Sequence, residues 1–471
     1  MFIGRKRELA RLEDAFNALQ SQVVVIYGRR RIGKSRLVHK FGESKPAFFY
    51  FEAIEGERTR GQISHFVDCL KRQVSDSTLE HVNFTRWEHV FSYITERIIE
   101  RAVKTERIVL FLDELQWMSA GRSRLVSILK YYWDNHWKNK NIMLILCGSV
   151  SSFMIKKVLR SKALYGRINV EMNLKGFPPR EAAQFFKGKR SKEEILKYLL
   201  VFGGVPKYLE EIKLNRSFNQ NMNQLCFSAE SPMIHEIDRI FYSQFREART
   251  YLRIVTLLKR GIHTLKDISE KLNIPSGGGL KKYLKSLEEA EIIRSYIPFG
   301  ASKSSRLRVY SLADEFLSFY YKYIEPNLEI IQQGGATHLF ERLTRESRDP
   351  WFGLAFERFC IKHSFHLAKI MGFEEEILNV SPFFQKGERS FQIDLIYKRA
   401  DRVVTVCEVK YHSLPVSTKI IPEMNRKCSL LKIPRGHSLE KALISLHGAD
   451  QGLRDSEYFD HIVSLEEIVP K

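Results

Sequence analysis

The segment 28-GRRRIGKS-35 constrains this chain more than any other. It has the spacing G-x-x-x-x-G-K-[ST], follows the apolar run 23-VVVIY-27, and precedes 36-RLVHKFG-42, whose apolar positions recur at helical spacing. A glycine-bounded bend between a buried strand and a helix turns successive backbone N–H groups toward one point, which makes a seat for phosphate. On this reading Gly28, Arg29, Arg30, Arg31, Ile32, Gly33 and Arg36 surround a polyphosphate. Lys34 neutralises its β and γ groups as a catalytic side chain, and the Ser35 hydroxyl ligates Mg²⁺.

The rest of residues 1–175 fits that bend. Short apolar runs, 23-VVVIY-27, 48-FFYFEA-53, 108-IVLFL-112, 142-IMLILC-147 and 168-INVEMNL-174, alternate with longer segments of helical period. Their apolar character is continuous, as expected of parallel strands covered on both faces, so the predicted class is α/β with a parallel-sheet core. Between them Trp87, Val90, Phe91, Ile94, Ile98 and Val103 mark one face of a helix. The run 109–112 leads into Asp113 and Glu114, as in a Walker B strand, so Asp113 is expected to hold Mg²⁺ through water and Glu114 to orient or deprotonate an attacking water. The run 142–147 ends in Gly148 and Ser149, placing a hydroxyl where it could sense a γ-phosphate.

Composition narrows the class of protein. Of 471 residues, 76 are Lys or Arg and 55 are Asp or Glu, a net charge of +21, while 44% are hydrophobic and 12% aromatic. A wholly disordered chain is excluded, and the basic excess fits a polyanionic partner such as nucleic acid. No apolar run approaches the roughly 20 residues of a membrane-spanning helix. The N-terminus lacks an apolar secretory stretch, and the cysteines at 69, 147, 226, 360, 407 and 428 form no C-x-x-C pair. The expectation is a cytoplasmic protein with reduced thiols.

Beyond the core, residues 176–245 read as a helical lid that begins at Pro178 and Pro179 and breaks at 203-GGVP-206. Residues 246–325 give three short helices and an extended stretch ending in 306-RLRVYSL-312, the pattern of a winged helix-turn-helix. Residues 251–310 carry 12 Lys plus Arg against 5 acids, with Lys281, Lys282 and Lys285 on the third helix and Lys303, Arg306 and Arg308 on the wing. Such charges suit DNA phosphates, although winged helices also dock proteins.

From 335 to 471 the pattern returns to α/β. Glu408 and Lys410, two apart on the strand 402-RVVTVCEVK-410, share a face, Asp394 lies 14 residues earlier in 391-FQIDLIYK-398, and Glu357 sits on a helix. Carboxylates in buried strands need a partner, and a divalent metal beside a phosphodiester reconciles them with a lysine. Asp394 and Glu408 would ligate Mg²⁺, Glu357 would complete the site, and Lys410 would stabilise developing charge or position water.

Taken together, 2-FIGRKREL-9, the loop at 28–35, 113-DELQW-117, 148-GS-149, 165-YGR-167 and 203-GGVP-206 resemble the archaeal-type ATPase family of the STAND branch of AAA+-related P-loop proteins, over residues 1–230. The resemblance implies an ATPase core with a helical lid, and ATP and Mg²⁺ as ligands. It implies that Gly4 and Arg5 lie near the adenine, that Arg167 serves as a γ-phosphate arginine, and that Pro206 faces the nucleotide. Residues 350–412 resemble the PD-(D/E)xK nuclease superfamily, though no proline stands immediately before Asp394. That resemblance implies a restriction-endonuclease-like fold. Three functions stay open: an ATP-driven switch acting on DNA through the winged helix and nuclease-like domain, an ATP-dependent DNA- or protein-binding regulator whose nuclease-like domain is inactive, or a protein-remodelling or signalling scaffold whose winged helix docks a partner protein. STAND-like ATPases often assemble, so a homo-oligomer or a partner protein is also expected.

Overall fold

The computed structural model describes residues 2–470 apart from 102–105, 120–122, 150, 246, 302–306, 335–336, 386 and 388–389. Val103, Lys303 and Arg306 therefore lie outside the described residues. The chain divides into two compact units, Met1–Lys175 and Gly176–Lys471.

In the first unit five parallel strands, β1 (Gln22–Tyr27), β2 (Phe48–Glu52), β3 (Ile108–Asp113), β4 (Ile142–Gly148) and β5 (Val170–Asn173), form a sheet in the order β2-β3-β4-β1-β5. Every residue of β3 and β4 is buried, as the continuous apolar runs require of strands covered on both faces. β5 is shorter than the run at 168–174 because it lies at the sheet edge, where Glu171 and Asn173 face solvent. Trp87, Val90, Phe91, Ile94 and Ile98 are all buried, on consecutive helical segments Trp87–Tyr93 and Ile94–Ile99. Trp87 stacks on Phe91 with ring centroids 5.8 Å apart. Because β1 lies between β4 and β5, the bend that follows it opens at the carboxyl end of the sheet beside the ends of β3 and β4, where ligands of open α/β sheets bind.

At the opposite, amino end of the sheet Arg107 fastens the helix α1 (Lys6–Asn17) to it. Its guanidinium donates to the carbonyls of Ala15, Phe16, Ala18 and Gln20 at 2.6–2.9 Å and to Asn141 Oδ1 at 2.8 Å. The last carbonyls of a helix lack intrahelical partners, and a cation there satisfies them and favours the dipole.

The second unit opens with helices Pro179–Ala183, Lys192–Phe202, Pro206–Glu210 and Phe218–Cys226. Three further helices, α2 (Ala248–Leu258), α3 (Leu265–Leu272) and α4 (Gly278–Glu289), accompany a small antiparallel sheet of β6 (His263–Thr264), β7 (Ile293–Tyr296) and β8 (Val309–Leu312), ordered β6-β8-β7. Thr264 and Asp267 form a reciprocal capping box at the start of α3. Leu280, Leu284 and Leu287 turn one face of α4 inward, leaving Lys281, Lys282 and Lys285 exposed on the other.

After α5 (Arg348–Lys362) comes a mixed sheet of β9 (Ile377–Gln385), β10 (Phe391–Arg399), β11 (Val403–Lys410), β12 (Ser438–Ser445) and β13 (His461–Val463). Its order is β13-β12-β11-β10-β9, antiparallel through β9, β10 and β11 and parallel through β11, β12 and β13. The helix α6 (Ile421–Leu430) contributes Met424 and Leu431 at its end to the core beneath this sheet.

Arg107→Ala would leave four carbonyls without their donor in a buried setting. The expected loss of stability is about 2–4 kcal/mol, measured as a shift of the urea midpoint with the slope unchanged.

Candidate functional site

The bend at 28–33 is built from backbone that few residues tolerate. Gly28 has φ of 153° and Gly33 of 86°, and Arg31 is itself left-handed at 69°. A Cβ at Gly28 would collide with the Leu174 carbonyl, since Leu174 N–H bonds Tyr27 O at 2.7 Å along the neighbouring strand. Ile32 is fully buried and Arg29 nearly so, Arg30 lies over the Trp117 ring at 6.0 Å, and Arg36 is exposed on the helix Lys34–Gly42. Lys34 is 5% exposed and donates to the carbonyls of Gly28 (3.1 Å) and Arg29 (3.0 Å), so its ammonium already lies inside the bend. Arg5 braces it by donating to Ile32 O at 3.2 Å and to Lys175 O.

Asp113, at the end of β3, is fully buried. Burial pushes its pKa up, and the facing Ser35 hydroxyl opposes that rise. Its Oδ1 accepts the Glu114 N–H at 2.9 Å, while Oδ2 is buried with no hydrogen-bond partner. A buried carboxylate oxygen without a donor beside a hydroxyl matches a Mg²⁺ site in which phosphates and waters complete the shell. Glu114 sits in a left-handed backbone position and its Oε2 accepts from Ser149 Oγ at 2.7 Å and Ser149 N at 3.1 Å. Gln116 donates from Nε2 to both Glu114 Oε2 and Ser149 Oγ, and its Oε1 is buried without a partner. Gln116 was given no role by the sequence motifs; its position two residues beyond Glu114 is the one signal that it shares the site.

Arg167 is not brought to this bend, and the expectation that it meets the γ-phosphate of its own chain is corrected. It precedes β5 at the amino end of the sheet, holding Asp134 through Nε at 2.6 Å and Nη2 at 2.8 Å. Both residues line an open pocket with Arg107 and Asn169 at that end. Pro206 is the first residue of the helix Pro206–Glu210 in the second unit.

A second polar cluster lies on the mixed sheet. Leu395 pairs with Cys407 across β10 and β11, so Asp394 and Glu408, one step further, stand side by side on one face with Lys410 two residues on. Asp394 Oδ2 accepts the Val409 N–H at 2.9 Å. Gln392 Nε2 reaches both Asp394 Oδ1 (3.2 Å) and Glu357 Oε2 (3.3 Å), joining the helix α5 to the strand. Glu408 is 2% exposed and each of its oxygens meets an ammonium at 2.7 Å, Oε1 from Lys410 and Oε2 from Lys427. Burial, and then the Asp394 charge, push the Glu357 pKa up to about 7; burial and Glu408 raise that of Asp394. For Lys410 burial pulls downward, but Glu408 and the other carboxylates outweigh it and raise its pKa. Lys427 and Gln392 were not singled out in the sequence: Lys427 comes from α6, 17 residues beyond Lys410, with no motif to connect them.

Among the described residues no three His, Cys, Asp or Glu side chains are gathered into a group that could hold a metal by itself. Nor is any helix among them long and apolar enough to cross a membrane.

Residues 2–212 match a family described as an ATPase domain predominantly from Archaea, and residues 320–421 match one described as archaeal and bacterial proteins of unknown function. The chain is 30% identical over 438 residues to an uncharacterized protein of Methanocaldococcus jannaschii, covering 92% of each. It is 21% identical over 327 residues to an uncharacterized ATP-binding protein of Pyrococcus abyssi, covering 62% of this chain and 92% of that one. The solved Walker-type ATPase of Pyrococcus abyssi superposes with a TM-score of 0.50 at 18% identity, over 68% of this chain and 95% of that chain, a likeness of fold.

The corrected place of Arg167 has a measurable consequence. Hydrogen bonding to Arg167 holds the Asp134 carboxyl down at about 2, below its ordinary 3.8, so the pair stabilises the fold above that ordinary value and loses its effect as pH falls toward 2. Because both groups are partly exposed, Arg167→Ala should cost about 1 kcal/mol at pH 7, in urea titrations, with the gap closing progressively below pH 4.

Proposed function

We propose, since this chain belongs to the family of ATPase domains found predominantly in Archaea, that it is a Mg²⁺-dependent switch that binds and hydrolyses ATP and acts on DNA through its second unit. The observation that carries the nucleotide reading is the meeting of Lys34, Ser35 and the orphaned Asp113 Oδ2 at the carboxyl end of the sheet. The backbone N–H groups of the bend and the start of the following helix face inward to take the β- and γ-phosphates. Lys34 would exchange the carbonyls of Gly28 and Arg29 for phosphate oxygens. Ser35 and Asp113 would hold Mg²⁺, whose charge offsets the negative charge of the phosphates. Glu114, held by Ser149 and Gln116, is the base or water-orienting group. Its tether to Ser149, the expected γ-phosphate sensor, supplies a route by which nucleotide could release it.

For the second unit, the helices α2, α3 and α4 with their three-stranded sheet support a winged-helix reading, and the exposed lysines 281, 282 and 285 offer a phosphate-facing surface. The exposed Arg308 adds to it, donating to Ser295 Oγ at 2.6 Å. The adjacency of Asp394, Glu408 and Lys410 on a mixed sheet, with Glu357 of the helix α5 linked to them through Gln392, supports a nuclease-like domain of the PD-(D/E)xK kind. Asp394 and Glu408 would ligate a divalent ion there, which would offset charge on a phosphodiester, with Lys410 beside the reacting group. A second reading, a DNA-binding regulator without cleavage, draws on one observation: both Glu408 oxygens are engaged by ammonium groups.

Lys34→Ala is expected to abolish ATP binding, and Glu114→Gln to keep ATP bound while slowing turnover by about 10²–10⁴-fold, read by phosphate release and filter binding. Normal hydrolysis by both variants refutes the site. With linear DNA and Mg²⁺, cutting is expected to vanish in Glu408→Ala and survive Lys34→Ala. DNA left intact but retarded on gels, with affinity falling steeply as salt rises, supports the regulator instead; a flat salt response removes DNA from either reading.

A further inference from the structure

The second unit contains a basic pocket distinct from the carboxylate cluster. It measures about 420 Å³ and lies between the end of α2, the strand β8, the helical stretch 315–324 and α5. Its wall carries Lys259, Arg260, Lys322 and Arg358, with the hydroxyls of Ser318 and Ser347, and no aspartate or glutamate lines it. Four cations and no anion around one opening is an unbalanced arrangement. Lys259 is partly answered by an ion pair with Glu325 and lies 4.8 Å from the centre of the Tyr321 ring.

Arg358 is answered only through space: its guanidinium rests over the Trp351 ring at 5.7 Å, and Glu315 and Glu357 attract it without a hydrogen bond or ion pair to it among the described residues. Those two carboxylates hydrogen-bond other donors: Glu315 accepts from Lys362 at 2.6 and 2.8 Å, and Glu357 accepts from Gln392. Burial lowers the Arg358 pKa, and the Glu315 and Glu357 charges only partly oppose that. The residue is half-buried, and a planar guanidinium above an aromatic ring is the group best shaped to take two oxygens of one phosphate.

We propose that this pocket binds a small phosphate monoester of about mononucleotide size. The phosphate would sit on Arg358, Lys322 and Arg260, with the hydroxyls of Ser318 and Ser347 around it and the attached group along the Tyr321 wall. The volume falls in the range of small-ligand sites and exceeds what a bare phosphate needs. The pocket also has a link to the carboxylate cluster, because Arg358 follows Glu357 directly on α5 and the two act on each other through charge. The inference does not depend on the nuclease reading.

The full chain carrying Lys34→Ala, which silences the phosphate bend, is titrated with AMP and with inorganic phosphate by calorimetry and by thermal shift. Saturable binding of either probe, weakened at least about tenfold by adding Arg358→Gln and again by Lys322→Glu, is expected. AMP binding more tightly than phosphate identifies a nucleotide-like ester; equal affinity identifies the free anion. Lys322 is exposed, so its variant keeps the test valid if Arg358→Gln fails to fold. Absence of binding by both probes, affinity unchanged in the variants, or displacement of AMP by duplex DNA overturns the proposal.

Discussion

The first unit depends on a close approach of two strands' ends. Tyr27 O accepts the Leu174 N–H, and the Leu174 carbonyl then occupies the space where a side chain at position 28 would be. Only a residue without Cβ can leave β1 there, and it leaves with φ of 153°, sending the chain into a bend instead of along the strand. That turn aims the N–H groups of the bend at the space above β1. It also brings the ammonium of Lys34 under them and begins the next helix beside the buried Asp113. The strand order sets the remaining geometry, since β4 and then β3 lie next to β1 and deliver Ser149, Asp113 and Glu114 to the same edge.

Charge is handled differently at the two polar clusters. Around Asp113 one carboxylate oxygen has no partner and the facing groups are a hydroxyl and a thiol, so the site is short of positive charge and suited to receive a cation. Around Glu408 two ammonium groups satisfy both oxygens, while Asp394 takes a backbone N–H and Glu357 is pushed toward its neutral form. The second cluster is thus internally compensated. An entering divalent ion has to compete with Lys410 and Lys427 for Glu408, a cost that the first site does not impose.

The sequence disclosed whatever is carried by local pattern. β1, β3 and β4 were legible because burial on both faces demands unbroken apolar runs, and the bend because its spacing follows from its own backbone geometry. Glu408 and Lys410 were legible as neighbours because strand alternation puts them on one face, whereas Asp394 was joined to them by the chemistry of a metal site and its register became known only from the sheet. Contributions that reach a site from a separate element were not. Lys427 arrives from α6, Gln392 links two elements, and Gln116 acts through a turn that no periodicity announces. Arg167 shows the converse failure: its motif was recognised, but the chain places it at the amino end of the sheet in an ion pair with Asp134. Motif membership gives a residue's neighbours in sequence, whereas strand direction decides which end of the sheet it occupies.

The central claim is that the bend after β1 holds a magnesium-bound triphosphate. Calorimetric titration of a non-hydrolysable ATP analogue into the full chain, with and without Mg²⁺, tests it most directly. One saturable site per chain that is weakened by removing Mg²⁺ and lost in Asp113→Ala is the predicted result. Absence of heat from the intact protein, or unchanged binding in that variant, would contradict it.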